Sequence, residues 1–501
     1  MPHTPGTKLG RHEAIESIKT EIALLKYRRT KTVATLGPSS ADATTIERLI
    51  DAGADVFRLN MSHGTHETHR ITYDRVRDAA AIRTGRRPTA VLADLSGPKI
   101  RVGRFSGGST KLEPGREITV TTRNVLGGEG LVPSQYDHLA DDVKPGDRIL
   151  LDDGSLELEV VRIEGTEIVC TVTTGGELKD HKGMNLPGVR VSAPSLTDKD
   201  REDATFALDL GVDFLALSFV RSGDDVRELR KLIDSTGVRA SIIAKIELPE
   251  ALDNIAGIFD AADGIMVARG DLGVELPPQS VPLVQSQLID LARAGAKPVI
   301  VATQMLESMV QQPRPTRAEV SDVSLAVRSG ADAVMLSAES AAGRYPVEAV
   351  AMMDTIARET EAYLWQQGAF GGLSSAKDTA SPLAVEDALA RSTAQLSRDL
   401  RVRTILVISR SGRTAEIMSS SRPAAPIVAT SPQAGTCRLA TLLWGVIPMV
   451  VESSELDDTQ ALARRLAREL GFGVEGQKLL VVRGFGADPV RDTPSISVVT
   501  I

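Results

Sequence analysis

The sequence predicts an α/β protein: a closed (β/α)8 barrel with an inserted β domain, followed by a second α/β domain. Three observations predict it. Short, continuously apolar, β-branched runs recur eight times, as strands buried on both faces do. Amphipathic stretches that end in glycine separate most of them, so strand and helix alternate. One long interval instead alternates polar and apolar residues and is broken by Pro-Gly, Asp-Gly and Gly-Gly, the pattern of a small all-β unit. An open doubly wound sheet is the competing arrangement, but no Gly-x-Gly-x-x-Gly turn follows the first strand.

In chain order, "HEAIESIKTEIALLKYRR" reads as an amphipathic helix with Ile15, Ile18, Ile22 and Leu25 on one face, so residues 1–29 form a helical segment. Strands are expected at 31–37, 55–60, 89–95, 213–219, 241–247, 264–271, 298–304 and 333–340. Helices such as "ADATTIERLIDAG" and "VPLVQSQLIDLARAG" lie between them. The barrel then occupies 30–100 and 189–370. The β unit, 101–188, interrupts a β-to-α connection and is expected over the barrel mouth as a lid. A helix with Pro346 in its first turn leads to the linker "GAFGGLSSAKDTASP". Residues 371–501 form the second α/β domain, with strands in "TILVISRSG", "PIVAT" and "KLLVVRGFG" and helices in "VEDALARSTAQLSRDL" and "DTQALARRLAREL". The reading finds no tandem repeats.

Composition narrows the function classes. The 501 residues are 42% hydrophobic, enough for sizeable cores. Lys+Arg of 58 against Asp+Glu of 66 leaves a net charge of −8, and aromatic residues are 3%. A nucleic-acid partner needs a basic stripe and stacking aromatics, so none is expected. There is no run of ~18 apolar residues and no signal-peptide core, so no membrane is expected either. The only two cysteines, Cys170 and Cys437, lack metal-site spacing and fit a reducing cytoplasm.

Polar residues stand at the strand ends: Thr35, Arg58 with Asn60, Asp94, Lys245 with Glu247, Arg269 with Asp271, Thr303, and Ser337 with Glu339. Residues two apart share one face of a strand, so each pair is expected at the C-terminal mouth, where such barrels keep their chemistry. Glu247 and Asp271 on neighbouring strands suit one Mg²⁺, which takes one or two carboxylates and keeps its waters. Arg58, Lys245, Arg269 and Arg101 surround them with positive charge, as an anionic phosphorylated substrate requires. Gly270 removes bulk where backbone N–H groups can meet a carboxylate. No Gly-x-x-x-x-Gly-Lys-Ser/Thr loop is present, so a nucleotide is not held in that fashion.

Together "RLNMSHGTHE", "SIIAKIE", "DGIMVARGDLGVELP", "KPVIVATQMLESM", "PRPTRAEVSDV" and "GADAVMLSAES" resemble the signature blocks of the pyruvate kinase family, in the family's order, from about residue 30 onward. The resemblance implies Mg²⁺-dependent transfer of the phosphoryl group of phosphoenolpyruvate to ADP, giving pyruvate and ATP, the last step of glycolysis. Mn²⁺ is implied as a substitute metal. Carried over by motif, Arg58 and Lys245 grip the phosphoryl group, and Glu247 and Asp271 bind the metal. Gly270, Asp271 and Thr303 bind the substrate carboxylate, and Thr303, Ser337 and Glu339 surround the face where the enolate is protonated. Asn60, His63, Arg101 and Lys199 match nucleotide-contacting positions, while Arg269 is implied to be structural or a subunit contact. His63, His66 and His69 drift round a helix rather than converge, so they are read as a helix start, not a metal cluster. A homotetramer is implied as well.

Three departures from the family pattern stand out. "ADLSGPKIRVG" places Lys99 where a glutamate accompanies K⁺ dependence and Leu95 where the family's K⁺ site has a threonine, although Asn60, Ser62 and Asp94 of that site remain. A fixed ammonium both supplies that positive charge and repels K⁺, by about 4 kcal/mol at ~4 Å and an effective dielectric near 20. K⁺-independent activity is therefore expected. "KIELPEA" replaces the common Ile-Glu-Asn, and Ala342 stands where a lysine is frequent. In the second domain, Ser409, Arg410, Ser411, Gly412, Arg413 and Thr414 form a turn opening a helix, a phosphate cradle in outline. The family's allosteric site implies a sugar phosphate or nucleoside monophosphate there. Two alternatives stay open: an Mg²⁺-dependent lyase of the same barrel type, and a non-catalytic sensing module.

Overall fold

Eight parallel strands close into a ring in the computed structural model, which describes residues 27–83, 88–367, 383–484 and 493–501. They are β1 (Lys31–Leu36), β2 (Val56–Asn60), β3 (Ala90–Asp94), β4 (Phe214–Leu217), β5 (Ser241–Ile246), β6 (Gly264–Ala268), β7 (Val299–Ala302) and β8 (Ala333–Leu336). Each pairs with its chain neighbours, and β8 closes on β1 through Lys31 opposite Ala333. Alternate residues serve two cores. Val33, Val56, Leu92, Phe214 and Ile300 pack in one cluster, while Ala34, Phe57, Leu215 and Val301 pack in the cluster shared with the helices. That division explains why the strands read as continuously apolar.

The helices begin and end where local chemistry dictates. Ala43–Ala52 starts at Asp42, whose side chain accepts from the Thr45 amide, and stops at Gly53 in the left-handed region (φ 113°). Arg317–Ser329 starts with a Thr316/Glu319 capping box. The expected helix at 15–25 and the linker lie outside the described residues.

A recurrence unnoticed in the sequence organises the barrel floor. "GAD", "GVD", "AAD" and "GAD" precede β2, β4, β6 and β8. Each aspartate accepts an amide from the first two residues of the preceding strand in the ring: Asp55 from Thr32 at 2.9 Å, Asp213 from Val91 at 2.9 Å, Asp263 from Ile242 at 2.7 Å and Asp332 from Val299 at 3.1 Å. An arginine meets each carboxylate: Arg28, Arg77, Arg230 and Arg422. The barrel is thus four two-stranded units. Unequal connections between the aspartates hide the repeat from a fixed-period scan.

Between β3 and β4, strands from Ser109 to Asn185 build a six-stranded sheet and a two-stranded one around their own core. Beyond the barrel, β9 (Ile405–Ile408), β10 (Ile427–Ser431), β11 (Val446–Val450), β12 (Lys478–Arg483) and β13 (Ser495–Thr500) form a sheet in the order β11-β10-β9-β12-β13. Strands β11 and β13 were not read from the sequence. This domain docks on the barrel floor: Leu442 joins the interior cluster, Arg438 reaches Asp213 at 2.5 Å and the Trp444 amide donates to Asp332 at 3.1 Å. No described helix is long and apolar enough to cross a membrane.

Candidate active site

The C-terminal ends of the barrel strands enclose a cleft of about 640 Å³, its open mouth included. Arg58, Asn60, Asp94, Lys245, Glu247, Asp271, Thr303 and Ser337 all line it, with Ser62, His63, Leu95, Lys99 and Arg101 on the side nearer the insert. Most of the expected constellation is therefore in one place. Glu339, Arg269 and Lys199 are not in its lining.

At its centre is a buried charge cluster. The Lys245 ammonium lies 3.0 Å from Glu247 Oε1 and 3.3 Å from Asp94 Oδ1, and donates to Ser218 Oγ at 2.7 Å. Arg58 Nε donates to Asp94 Oδ2 at 2.6 Å and its Nη1 to Thr35 Oγ1 at 3.1 Å. Burial alone would push the lysine down, but Asp94 and Glu247 outweigh it and hold Lys245 above its ordinary value, so the cation is permanent. Burial works against ionised Asp94 too, yet Lys245 and Arg58 keep it below the usual carboxylate range. Glu247 is raised, first by burial and also by nearby Asp271. Two carboxylates that repel each other in a cleft are an oxygen donor set for a hard divalent cation. No group of three or more His, Cys, Asp or Glu side chains placed to hold a metal ion occurs among the described residues.

Two strand-end pairs are corrected. The chain leaves the extended state after Ala268 and after Leu336: Arg269–Glu275 and Ala338–Ala341 are helical. Residues two apart then lie about 200° apart round the axis instead of on one face. Asp271 consequently faces the cleft, while Arg269 turns behind it to bind Asp322 at 2.7 Å and the Thr303 carbonyl at 2.7 Å. Likewise Ser337 faces the cleft, but Glu339 is fully buried and accepts from the amides of Ser337 (2.7 Å) and Leu306 (3.0 Å). Glu339 therefore ties the Ser337 and Leu306 amides together behind the cleft and does not line it.

Thr303 sits at φ 68° and Gln304 at φ 53°. A β-branched residue in the left-handed region is strained, and such strain collects at functional sites. Its Oγ1 donates to Ala302 O at 2.6 Å and accepts from the Gly270 amide at 2.7 Å. The hydroxyl already occupies the amide expected to bind a carboxylate. A Cβ at Gly270 would find its nearest neighbour, Thr303 Oγ1, at 3.5 Å, so any need for glycine arises from a ligand and not from the fold.

Around the rim, Arg101 donates to His181 O at 3.0 Å, tying the cleft to the insert. Lys199 is engaged by Met61 O at 3.0 Å and by Asp203. His66 stacks on Phe206 and bonds Asp203, while His69 bonds the His63 carbonyl. The three histidines do not converge, and the helix His66–Arg83 starts where expected. Asn60 Oδ1 accepts the Ser62 amide at 3.2 Å, both Asp94 oxygens face cations, and exposed Lys99 lines the same wall. Sequence reasoning missed Ser218 and Phe219. Ser218 seats Lys245, and the Phe219 amide donates to Glu247 Oε2 at 2.7 Å from φ 53°. The positive φ at a phenylalanine leaves no signal in the sequence.

In the second domain, Gly412 (φ 100°) opens the helix Arg413–Ser420, and its amide donates to Ser409 Oγ at 3.1 Å. Ser409 and Thr414 are buried; Arg410, Ser411 and Arg413 are exposed. Arg239, two residues before β5, donates to Ser411 O at 2.7 Å and so links this turn to the barrel.

Family models describe the same division. Residues 27–350 match "Pyruvate kinase, barrel domain" and 387–499 match "Pyruvate kinase, alpha/beta domain". The chain is 44% identical over 460 residues to the pyruvate kinase of Corynebacterium efficiens, covering 91% of this chain and 94% of the relative. It is 41% identical over 474 residues to that of Mycobacterium tuberculosis, covering 94% and 98%. Pyruvate kinase 2 of a Synechocystis species is 43% identical over 462 residues, covering 91% and 76%. The chain belongs to the pyruvate kinase family and is a phosphotransferase.

Proposed function

We propose that the protein transfers the phosphoryl group of phosphoenolpyruvate to ADP, giving pyruvate and ATP, as the last step of glycolysis in the cytoplasm. The observation that carries this is the permanent cation Lys245, clamped between Asp94, Glu247 and Ser218 opposite the strained Thr303. Glu247 and Asp271 would hold Mg²⁺, with Mn²⁺ as a substitute, and the metal supplies charge neutralisation at the phosphoryl oxygens. Arg58 and Lys245 face the same group, so negative charge is countered as the enol P–O bond breaks and the bond to ADP forms. Asn60, His63 and Arg101 lie where the nucleotide enters; Lys199 stands at the rim beside them. The enolate left behind takes a proton at its methylene carbon from water held by Thr303 and Ser337. For Thr303 to hand a proton on, its hydroxyl must turn away from Ala302 O.

Lys99 in the wall with Asn60, Ser62, Asp94 and Leu95 supports K⁺-independent activity. The Ser409–Thr414 turn supports a phosphorylated effector, a sugar phosphate or nucleoside monophosphate, acting within a homotetramer. The test is pyruvate formation from phosphoenolpyruvate and ADP with Mg²⁺ in buffer free of K⁺ and NH₄⁺, before and after adding KCl. Activity unchanged by KCl is expected. Activity only with KCl removes the role given to Lys99, and none in either buffer, effectors included, removes the reaction.

A further inference from the structure

A second cavity, about 790 Å³ with its mouth included, shares only Lys99, Phe219 and Asp271 with the cleft. Its wall has two sources. Ile100, Leu186 and Val189 come from the two irregular segments joining the insert to the barrel; Phe219, Leu248 and Pro249 come from barrel loops. Leu248, from "KIELPEA", adds to the apolar side of this wall.

The polar groups in the wall are mostly spent. Arg221 donates to the carbonyls of Val191 and Ala193, and Glu250 pairs with Arg190 at 3.7 Å. Half-buried Glu275 is different. It accepts from Asn185 Nδ2 at 3.5 Å, the limit of a hydrogen bond, and Arg148 acts on it electrostatically without closing an ion pair. Lys99 and Asp271 also line the wall but are shared with the cleft; of the carboxylates confined to this cavity Glu275 alone lacks a salt bridge, and an apolar wall with such a carboxylate at its edge is complementary to a compact apolar body carrying one positive charge.

We propose that this cavity binds a small apolar molecule bearing a single ammonium group, its body against Leu248, Phe219 and Leu186 and its ammonium on Glu275. Burial pushes the Glu275 carboxyl up to about 7, and a bound cation offsets that cost. Such a ligand touches both the insert's neck and the loop whose Phe219 amide holds Glu247. It therefore restrains the insert relative to the metal-binding carboxylates and lowers turnover as it fills the site. The cavity adjoins the phosphoryl-transfer cleft through Lys99, Phe219 and Asp271, but the binding proposed does not depend on the reaction assigned there.

Benzylamine is a suitable probe and benzyl alcohol its neutral counterpart, with binding followed by ligand-observed NMR titration of the full chain at pH 8. Expected are saturable benzylamine binding in about the millimolar range, normal for so few atoms, and weaker binding of the alcohol. Glu275→Gln should weaken benzylamine about tenfold, as loss of one charged hydrogen bond does, and leave the alcohol unchanged. Leu248→Asn should weaken both probes. Three outcomes overturn the proposal: no saturable benzylamine binding to the wild type, equal affinity in a folded Glu275→Gln variant, or competitive displacement by phosphoenolpyruvate.

Discussion

Lys245→Met removes the central cation while keeping most of the side chain's apolar volume. In the folded protein the ammonium is 3.0 Å from Glu247 and 3.3 Å from Asp94, so it also stands next to any phosphoryl oxygen held beside them. A unit charge at ~4 Å in an effective dielectric near 20 contributes about 4 kcal/mol, which is about a thousandfold in rate if the contact tightens in the transition state. The variant should therefore lose about three orders of magnitude in kcat for pyruvate formation from phosphoenolpyruvate and ADP, with circular dichroism confirming that it folds. Mg²⁺ binding at pH 8 should persist, because Glu247 and Asp271 remain. At pH 6 it should weaken relative to the wild type: Lys245 lowers the proton affinity of Asp94 and Glu247, so without it protons compete with the metal at higher pH. A kcat within tenfold of wild type would refute the role given to Lys245.

Lys99→Glu should create a KCl requirement absent from the wild type; KCl-independent turnover in the variant would show that the ammonium does not replace a monovalent cation. Thr303→Ser keeps the hydroxyl and should retain most activity, whereas Thr303→Ala should lose at least ~100-fold in kcat if the hydroxyl moves a proton; equal rates in both would remove that step. Arg269→Leu breaks a partly exposed ion pair with Asp322 and the bond to the Thr303 carbonyl, so urea denaturation should report a loss of about 2 kcal/mol, and an unchanged midpoint would contradict it. For Glu275 the sign runs from a folded value near 7 against about 4.3 unfolded. Between those values the folded chain binds the proton more tightly, so this group's contribution to stability falls as pH rises. Glu275→Gln should thus stabilise the protein at pH 8, by about 1 kcal/mol after solvent screening, and hardly at pH 4; the reverse order would refute the assignment.

The sequence alone determined the eight barrel strands, the inserted β unit, the second α/β domain, and most of the residues lining the cleft. Strand burial is written in local composition, and a residue that ends a buried strand has few places to go. Only the tertiary structure decided which of Arg269, Asp271, Ser337 and Glu339 face the cleft, because the strands end three and four residues earlier than periodicity implies, at Ala268 and Leu336, and the turn into helix rotates the side chains that follow. It also decided the roles of Ser218 and Phe219, whose contacts to Lys245 and Glu247 span 27 and 28 residues. The four aspartates of the barrel floor were present in the sequence as Gly/Ala-x-Asp, yet their meaning lay in the amide of a neighbouring strand. Local patterns report burial and backbone state; the partner that a buried charge or a strained loop needs is brought to it by closing the ring.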